Sequence, residues 1–171
     1  GDRYTGCGSI SELINTSDLI VLSVKPQNFT DILPEIAAAL SGSMSEMYAV
    51  MNKPPLSPPG WVFPVVWTIL FALMGIGAAR IYLSAPSADR SLGLNLFIAQ
   101  LAVNFFWSPI FFNRQTYGLA FFWLLLLWGL VLAMILVFRK TEPAAAKLQI
   151  PYLIWLTFAA YLNLGVWYLN R

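Results

Sequence analysis

The sequence predicts an all-α protein, a polytopic membrane bundle of four spanning helices with a short α/β fragment at its N-terminal side. Of its 171 residues, 58% are hydrophobic and only 11% are charged, whereas a soluble domain carries about 25% charged residues. The apolar residues also fall into four long runs, each of the length that a hydrocarbon core about 30 Å thick requires. We therefore predict an integral membrane protein whose partner is the lipid bilayer.

Residues 1–45 differ from the rest of the chain. Residues 18–24 form a short β-branched run typical of a buried strand, and residues 29–40 show the apolar spacing of a helix. The sequence SDLIVLSVKPQNFTDILPEI (17–36) resembles the later part of the dinucleotide-binding domain of pyrroline-5-carboxylate reductase. The resemblance extends over residues 9–43. The segment lacks a G-x-G-x-x-G turn and is too small for a core of its own. We interpret it as a non-functional fragment.

Residues 46–60 are a proline-rich linker. Four prolines at positions 54, 55, 58 and 59 preclude a helix there and favour an extended path. The segment is either a spacer or a loop that lies over one mouth of the bundle.

The bundle is predicted to occupy residues 61–171, and its four spans are 61–83, 92–112, 117–138 and 150–169. Pro64 and Pro151 fall in the first turns of the first and fourth spans, where proline is tolerated. We expect a charged loop over residues 139–147, broken by Pro143. The third span is apolar on every side, so we expect much of it to face lipid. Short loops favour antiparallel packing of sequence neighbours.

Two spans carry polar stripes at helical spacing. Gln100 and Asn104 are four residues apart on the second span, and Trp107 and Phe111 continue that face. The fourth span repeats the pattern with Trp155, Ala159 and Asn163, with Tyr152 one turn earlier. A carboxamide without partners in lipid costs several kcal/mol. The two stripes are therefore expected to face each other, or a ligand, inside the bundle.

The composition also excludes several kinds of chemistry. There is no histidine and only one cysteine, Cys7, so histidine-based catalysis and an intrachain disulfide are ruled out. No acid–base or nucleophile constellation supports conventional catalysis, and no cofactor is required. Residues 53–171 hold eight bases against two acids, but these bases lie between apolar runs, so we expect no nucleic acid partner. The loops after the first and third spans hold five bases against three at the other end, which predicts that these loops are cytoplasmic.

Three blocks in the right order carry a resemblance to a family. NKPPLSPPGWVFPVVWTILF (52–71), AQLAVNFFWSPIFF (99–112) and PYLIWLTFAAYLN (151–163) are similar to the translocator proteins, also called tryptophan-rich sensory proteins (the TspO/MBR family). This resemblance implies a five-helix membrane fold that binds porphyrin, sterol or synthetic ligands, usually as a homodimer. Where the family has its first helix, this chain has the reductase-like fragment. We expect a bacterial cell-envelope membrane and a protoporphyrin-like tetrapyrrole as ligand.

The resemblance also implies a ligand site. Its residues are Tyr48, Trp67, Asn104, Trp107, Trp155, Ala159 and Asn163. Indoles offer wide stacking faces, an alanine leaves room, and amides or a phenol can meet the polar edge of a flat macrocycle. The other bundle tryptophans are expected to be interfacial anchors: Trp61, Trp123, Trp128 and Trp167.

Two other interpretations stay open. Trp67 and Trp155 occupy the positions implicated, in similar proteins, in porphyrin breakdown driven by light or oxygen, which would make the chain an enzyme. Alternatively, the chain is a non-functional chimera of a reductase remnant and a truncated bundle.

Overall fold

The computed structural model describes Tyr48 and residues 50–170. The predicted α/β fragment, whose sequence is similar to the reductase, lies outside the described residues. The chain divides into two compact units, Gly1–Val50 and Met51–Arg171. The second unit holds four helices, and a π-helix continues the second of them: α1 (Val62–Leu83), α2 (Ala88–Ser108), the π-helix Pro109–Asn113, α3 (Tyr117–Thr141) and α4 (Pro143–Leu169). All four are long and apolar enough to cross a membrane. The protein is a polytopic helical membrane bundle, as predicted.

Helix α1 starts after Pro58, Pro59 and Gly60 and runs for 22 residues, about 33 Å. Pro64 lies in its first turn, where the missing N–H has no helical partner in any case. Ser84 ends the helix, because its backbone N–H and its hydroxyl both donate to the Ile81 carbonyl, at 3.2 and 2.7 Å.

Helix α2 begins four residues earlier than the predicted span. The Ser87 hydroxyl caps it by accepting a hydrogen bond from the Arg90 backbone N–H at 3.1 Å. At its other end Pro109 cannot donate to the preceding turn. The chain there widens into the π-helix, which the Arg114 N–H closes on the Pro109 carbonyl at 3.1 Å.

The predicted charged loop over residues 139–147 is not a loop. Helix α3 continues through Thr141, and α4 begins at Pro143, so only Glu142 separates the two helices. Arg139 and Lys140 form the last turn of α3, where positive charge complements the helix dipole. Since α4 starts at residue 143, Pro151 lies inside it, two turns beyond the first turn in which it was predicted.

The core is built on one stripe of α3. Its buried residues recur at steps of three and four: Ala120, Leu124, Leu127, Val131, Met134 and Phe138. Helices α2 and α4 pack on either side of α3, and α1 packs mainly on α4 and much less on its sequence neighbour α2. The expectation that much of the third span faces lipid is compatible with the rest of the α3 circumference, which is not buried, while the buried stripe makes α3 the central helix of the unit.

Residues 52–55 of the linker lie along the last turns of α4. The Tyr161 hydroxyl donates to the Pro55 carbonyl at 2.8 Å. The Asn170 side chain donates to the Asn52 carbonyl at 2.9 Å and accepts from its N–H at 3.3 Å. Gly165 permits this approach, because a Cβ atom there would collide with the Pro54 ring. This part of the linker is thus fixed to α4 and does not act as a free spacer.

Two ion pairs join the helix ends at the opposite end of the bundle. Arg80 at the end of α1 pairs with Glu142 at 3.0 Å. Lys140 at the end of α3 pairs with Asp89 in the first turn of α2 at 3.7 Å. Both pairs are partly exposed, so each contributes only a modest amount to stability.

Candidate functional site

Four aromatic rings line the contact between α1 and α4, and we call them the aromatic seam: Phe63, Trp67, Tyr152 and Trp155. Phe63 and Trp67 are one turn apart on α1, and Tyr152 and Trp155 are one turn apart on α4, so each pair shares a face. The Trp67 ring meets Tyr152 edge-on with centroids 6.0 Å apart, and Phe63 meets Trp155 in the same way at 5.9 Å. Both tryptophans are half-buried. The seam therefore presents two indoles that retain accessible surface.

Ala159 continues the seam along α4. It lies one turn beyond Trp155 and one turn before Asn163, and it is half-buried against the core. Its methyl group occupies the least space of the three side chains in this stripe. The stripe thus leads from the aromatic seam to Asn163, which belongs to a second group of side chains nearer the linker.

That second group, the amide cluster, consists of Trp107, Tyr117 and Asn163. Asn163 is 2% exposed. With its amide oriented to satisfy both neighbours, its nitrogen donates to the Tyr117 carbonyl at 2.9 Å and its oxygen accepts from Trp107 Nε1 at 3.3 Å. The Trp107 ring also stacks on Phe111 with centroids 4.9 Å apart. These contacts join α2, α3 and α4 and satisfy both ends of the Asn163 amide within the protein.

The other two predicted site residues, Asn104 and Tyr48, belong to neither group. Asn104 is half-buried on α2, and no hydrogen bond joins its side chain to another residue that the structure describes. Its amide is therefore available to a ligand. Tyr48 is helical and half-buried but belongs to the first compact unit, Gly1–Val50, so its place in the site stays a prediction.

The polar stripes of α2 and α4 face each other, as predicted, through Gln100 and Tyr152 as well as through Trp107 and Asn163. Tyr152 donates its hydroxyl to Gln100 Oε1 at 3.1 Å, and both side chains are fully buried. Gln149, one turn before Tyr152, is also fully buried. Gln149 is not among the predicted site residues, because the fourth span is predicted to begin at residue 150. The pattern that could have identified Gln149 is the presence of an amide three residues before Tyr152, on the same face of the helix.

The remaining tryptophans, predicted to be interfacial anchors, differ in their surroundings. Trp61 is 68% exposed at the start of α1, which fits that prediction. The indole N–H groups of Trp123 and Trp128 instead bond to other helices, to the Val103 carbonyl at 2.8 Å and the Thr157 hydroxyl at 2.9 Å. Trp167 packs on Phe121 and Phe122 of α3. For these three an anchor role stays a prediction, and the structure adds that each indole has a hydrogen-bond or packing partner on another helix.

The described residues offer oxygen and nitrogen donors from amides and phenols, and among them no group of three or more histidine, cysteine, aspartate or glutamate side chains could hold a metal ion. The arrangement can stack a flat apolar molecule against indoles and offer it an amide. It contains no charged side chain at the seam.

Comparison with known proteins gives a consistent result. The model of the TspO/MBR family matches residues 30–169. The match begins inside the segment interpreted as a reductase fragment, and that interpretation stays a prediction.

Individual relatives agree. The translocator protein of Ovis aries is 39% identical over 134 residues, which cover 77% of this chain and 79% of the relative. Protein CrtK of Rhodobacter capsulatus is 40% identical over 124 residues, 72% of this chain and 78% of the relative. The tryptophan-rich sensory protein of Cereibacter sphaeroides is 36% identical over 137 residues, 78% and 85% of the two chains.

Proposed function

The chain belongs to the TspO/MBR family, and from that premise we propose that it binds a flat hydrophobic ligand, a porphyrin or a sterol-like molecule, between its helices. The names of its relatives refer to translocation and to sensing. We propose the same kind of role here, a membrane translocator or sensor, acting as a homodimer and without a resident cofactor.

The observation that supports this proposal is the aromatic seam with its two half-buried indoles. Trp67 and Trp155 each contact one ring of the facing helix edge-on, which leaves part of each indole surface uncovered. An indole face stacks well on an extended π-system, and such contacts contribute about 0.5–1.5 kcal/mol each beyond burial. A porphyrin offers the extended π-system, and a sterol offers a flat apolar face.

Ala159 and Asn104 supply the rest of the proposed site. Ala159 provides space on the α4 stripe next to Trp155, since any larger side chain would project over the same face. The unpartnered Asn104 amide can bond the polar edge of the ligand, which offsets the cost of leaving that amide unpaired in an apolar surrounding. Trp107 and Asn163 form the supporting wall in this proposal, because their polar atoms bond to each other.

The experiment is a titration of the purified protein in detergent with protoporphyrin, followed by quenching of tryptophan fluorescence. We expect saturable quenching in the wild type and a loss of affinity of about tenfold or more in Ala159→Leu, because three added carbons occupy the stacking space. Ala144→Leu is the matched control, since Ala144 is exposed in the first turn of the same helix. Equal affinity in Ala159→Leu and Ala144→Leu, with both variants folded, would remove this site from consideration.

A further inference from the structure

Three fully buried polar side chains lie where α4 meets α1 and α2, and one of them, Tyr152, also belongs to the aromatic seam. Gln100 comes from α2, and Gln149 and Tyr152 come from α4, and all three are 0% exposed. Tyr152 donates to Gln100 Oε1 at 3.1 Å. Gln149 Nε2 reaches the Leu73 and Ala145 carbonyls, both at 3.5 Å, which is the outer limit for a hydrogen bond. We call these three side chains the buried polar triad.

Two atoms of the triad have no partner among the residues that the structure describes. They are the donor Gln100 Nε2 and the acceptor Gln149 Oε1. Nearly all buried polar atoms in native proteins are hydrogen-bonded, and a buried atom left unpaired is destabilising. Gln149 lies one turn from Tyr152 on α4, and Tyr152 bonds to Gln100, so the two unpaired atoms belong to side chains linked through Tyr152. We infer that one bound group satisfies both atoms.

The chemistry of the two atoms selects the class of that group. It must accept a hydrogen bond from Gln100 Nε2 and donate one to Gln149 Oε1. A hydroxyl does both, whereas a carbonyl or carboxylate cannot donate and an ammonium cannot accept. Tyr152 lies on the same helical face as Gln149, and long helical side chains lean toward the preceding turn, so its hydroxyl can provide a third partner.

We propose that the buried polar triad binds one water molecule. Its oxygen accepts a hydrogen bond from Gln100 and one of its O–H groups donates to Gln149, so the water bridges the two side chains. Buried waters typically make about three hydrogen bonds to otherwise unsatisfied groups, and the triad offers three. An alcohol ligand such as a sterol is the other source of a hydroxyl. Water is favoured because all three side chains are fully enclosed, and a ring system attached to the hydroxyl would have to displace core side chains. The bridge is inferred from the two unpaired atoms and not from ligand binding at the aromatic seam, although Tyr152 belongs to both groups.

A thermal-stability cycle tests the bridge, with the protein purified in sterol-free detergent. Gln100→Leu and Gln149→Leu are measured singly and together. A shared water makes the two effects non-additive: each single change lowers Tm, and the double variant loses at least about 3 °C less than the sum of the single losses. Additive losses would overturn the proposal. The control cycle pairs Gln149→Leu with Asn163→Leu in the amide cluster, where additive effects are expected.

Two further measurements complete the test. Repeating the cycle with added cholesterol separates the two sources: non-additivity that appears only with the sterol would overturn the assignment to water. If a leucine variant fails to fold, an experimental structure of the wild type at about 2 Å resolution or better decides the question. We expect a density peak within hydrogen-bonding distance of both Gln100 Nε2 and Gln149 Oε1, and the absence of that peak at well-ordered side chains would contradict the proposal.

Discussion

Trp107 and Asn163 illustrate how single polar groups are accommodated in this bundle. The Asn163 amide lies between an indole N–H of α2 and a backbone carbonyl at the start of α3, so one side chain of α4 joins three helices. In an apolar surrounding an unpaired amide or indole is costly, and pairing the two removes both costs. These residues therefore hold the wall of the proposed site in place, while Trp67, Trp155 and Asn104 keep surface or polar atoms for a ligand.

We expect Asn163→Ala to destabilise the protein by about 1–2 kcal/mol, because it removes two hydrogen bonds and leaves the N–H of the half-buried Trp107 unpaired. Thermal unfolding in detergent measures this. Asn95→Ala is the control, since Asn95 is exposed on α2, and it should change Tm very little. An Asn163→Ala variant as stable as Asn95→Ala would mean that the amide cluster does not support the bundle.

The bond between Trp128 and Thr157 provides a second test at this scale. We expect Trp128→Phe and Thr157→Val each to cost about 1 kcal/mol. The double variant should cost no more than the worse single variant plus a few tenths, because both changes remove the same bond. Trp61→Phe serves as the control, since its side chain is 68% exposed. Fully additive losses in the Tm measurements would show that the bond contributes nothing.

Helical spacing was sufficient to predict which of these side chains turn inward, and insufficient to predict their partners. The period of four identified the buried faces that carry Gln100 and Asn163. It could not identify the helix that opposes each face, because that depends on how α1 to α4 pack. For this reason the spacing does not predict the acceptors of the Trp123 and Trp128 indoles or the bond between Gln100 and Tyr152.

At the scale of elements, proline and charge set the helix ends in ways that a loop prediction did not capture. Residues 139–147 contain four charges and a proline, which suggested a loop. Bases are favourable in the last turn of a helix, and proline is favourable at the first position of the next. Helices α3 and α4 therefore meet at Glu142 alone. This short connection keeps the two helices antiparallel and in contact, as the loop lengths had predicted for sequence neighbours.

The linker is the element whose attachment is most open to a direct test. Asn170→Ala removes the side chain that bonds both the N–H and the carbonyl of Asn52. We expect faster hydrogen–deuterium exchange in peptides covering residues 51–57, because the Asn52 N–H loses its acceptor. Tyr161→Phe, which removes the bond to Pro55, should have a similar but smaller effect. Exchange in these peptides that is unchanged in both variants would contradict the described attachment.

At the scale of the whole molecule, one of the main helix pairs in contact is not adjacent in sequence. Helix α1 packs mainly on α4, so the aromatic seam joins the first and last helices of the unit. The sequence predicted the class of fold and the number of spans from the lengths of the apolar runs. It could not predict this pairing, because the α1 and α4 faces are both apolar and differ only in which rings they carry.

The distribution of charge predicts how the molecule lies in the membrane. Five bases at the end that carries the α1–α2 and α3–α4 connections predict that this end is cytoplasmic, with residues 51–60 on the opposite side. Single cysteines at Ala85 and Leu56, introduced into a Cys7→Ser background, test this with a membrane-impermeant maleimide on intact cells. We expect labelling of Leu56→Cys and protection of Ala85→Cys. The reverse pattern would invert the topology.

The most direct test of the account is the protoporphyrin affinity of the double variant Trp67→Leu, Trp155→Leu, measured by absorbance titration of the porphyrin so that lost indoles do not affect the signal. If both indoles stack on the ligand, the two losses together raise Kd by about tenfold or more, while Trp61→Leu leaves Kd unchanged. A folded double variant that binds protoporphyrin as tightly as the wild type would contradict the proposal that the aromatic seam is the ligand site.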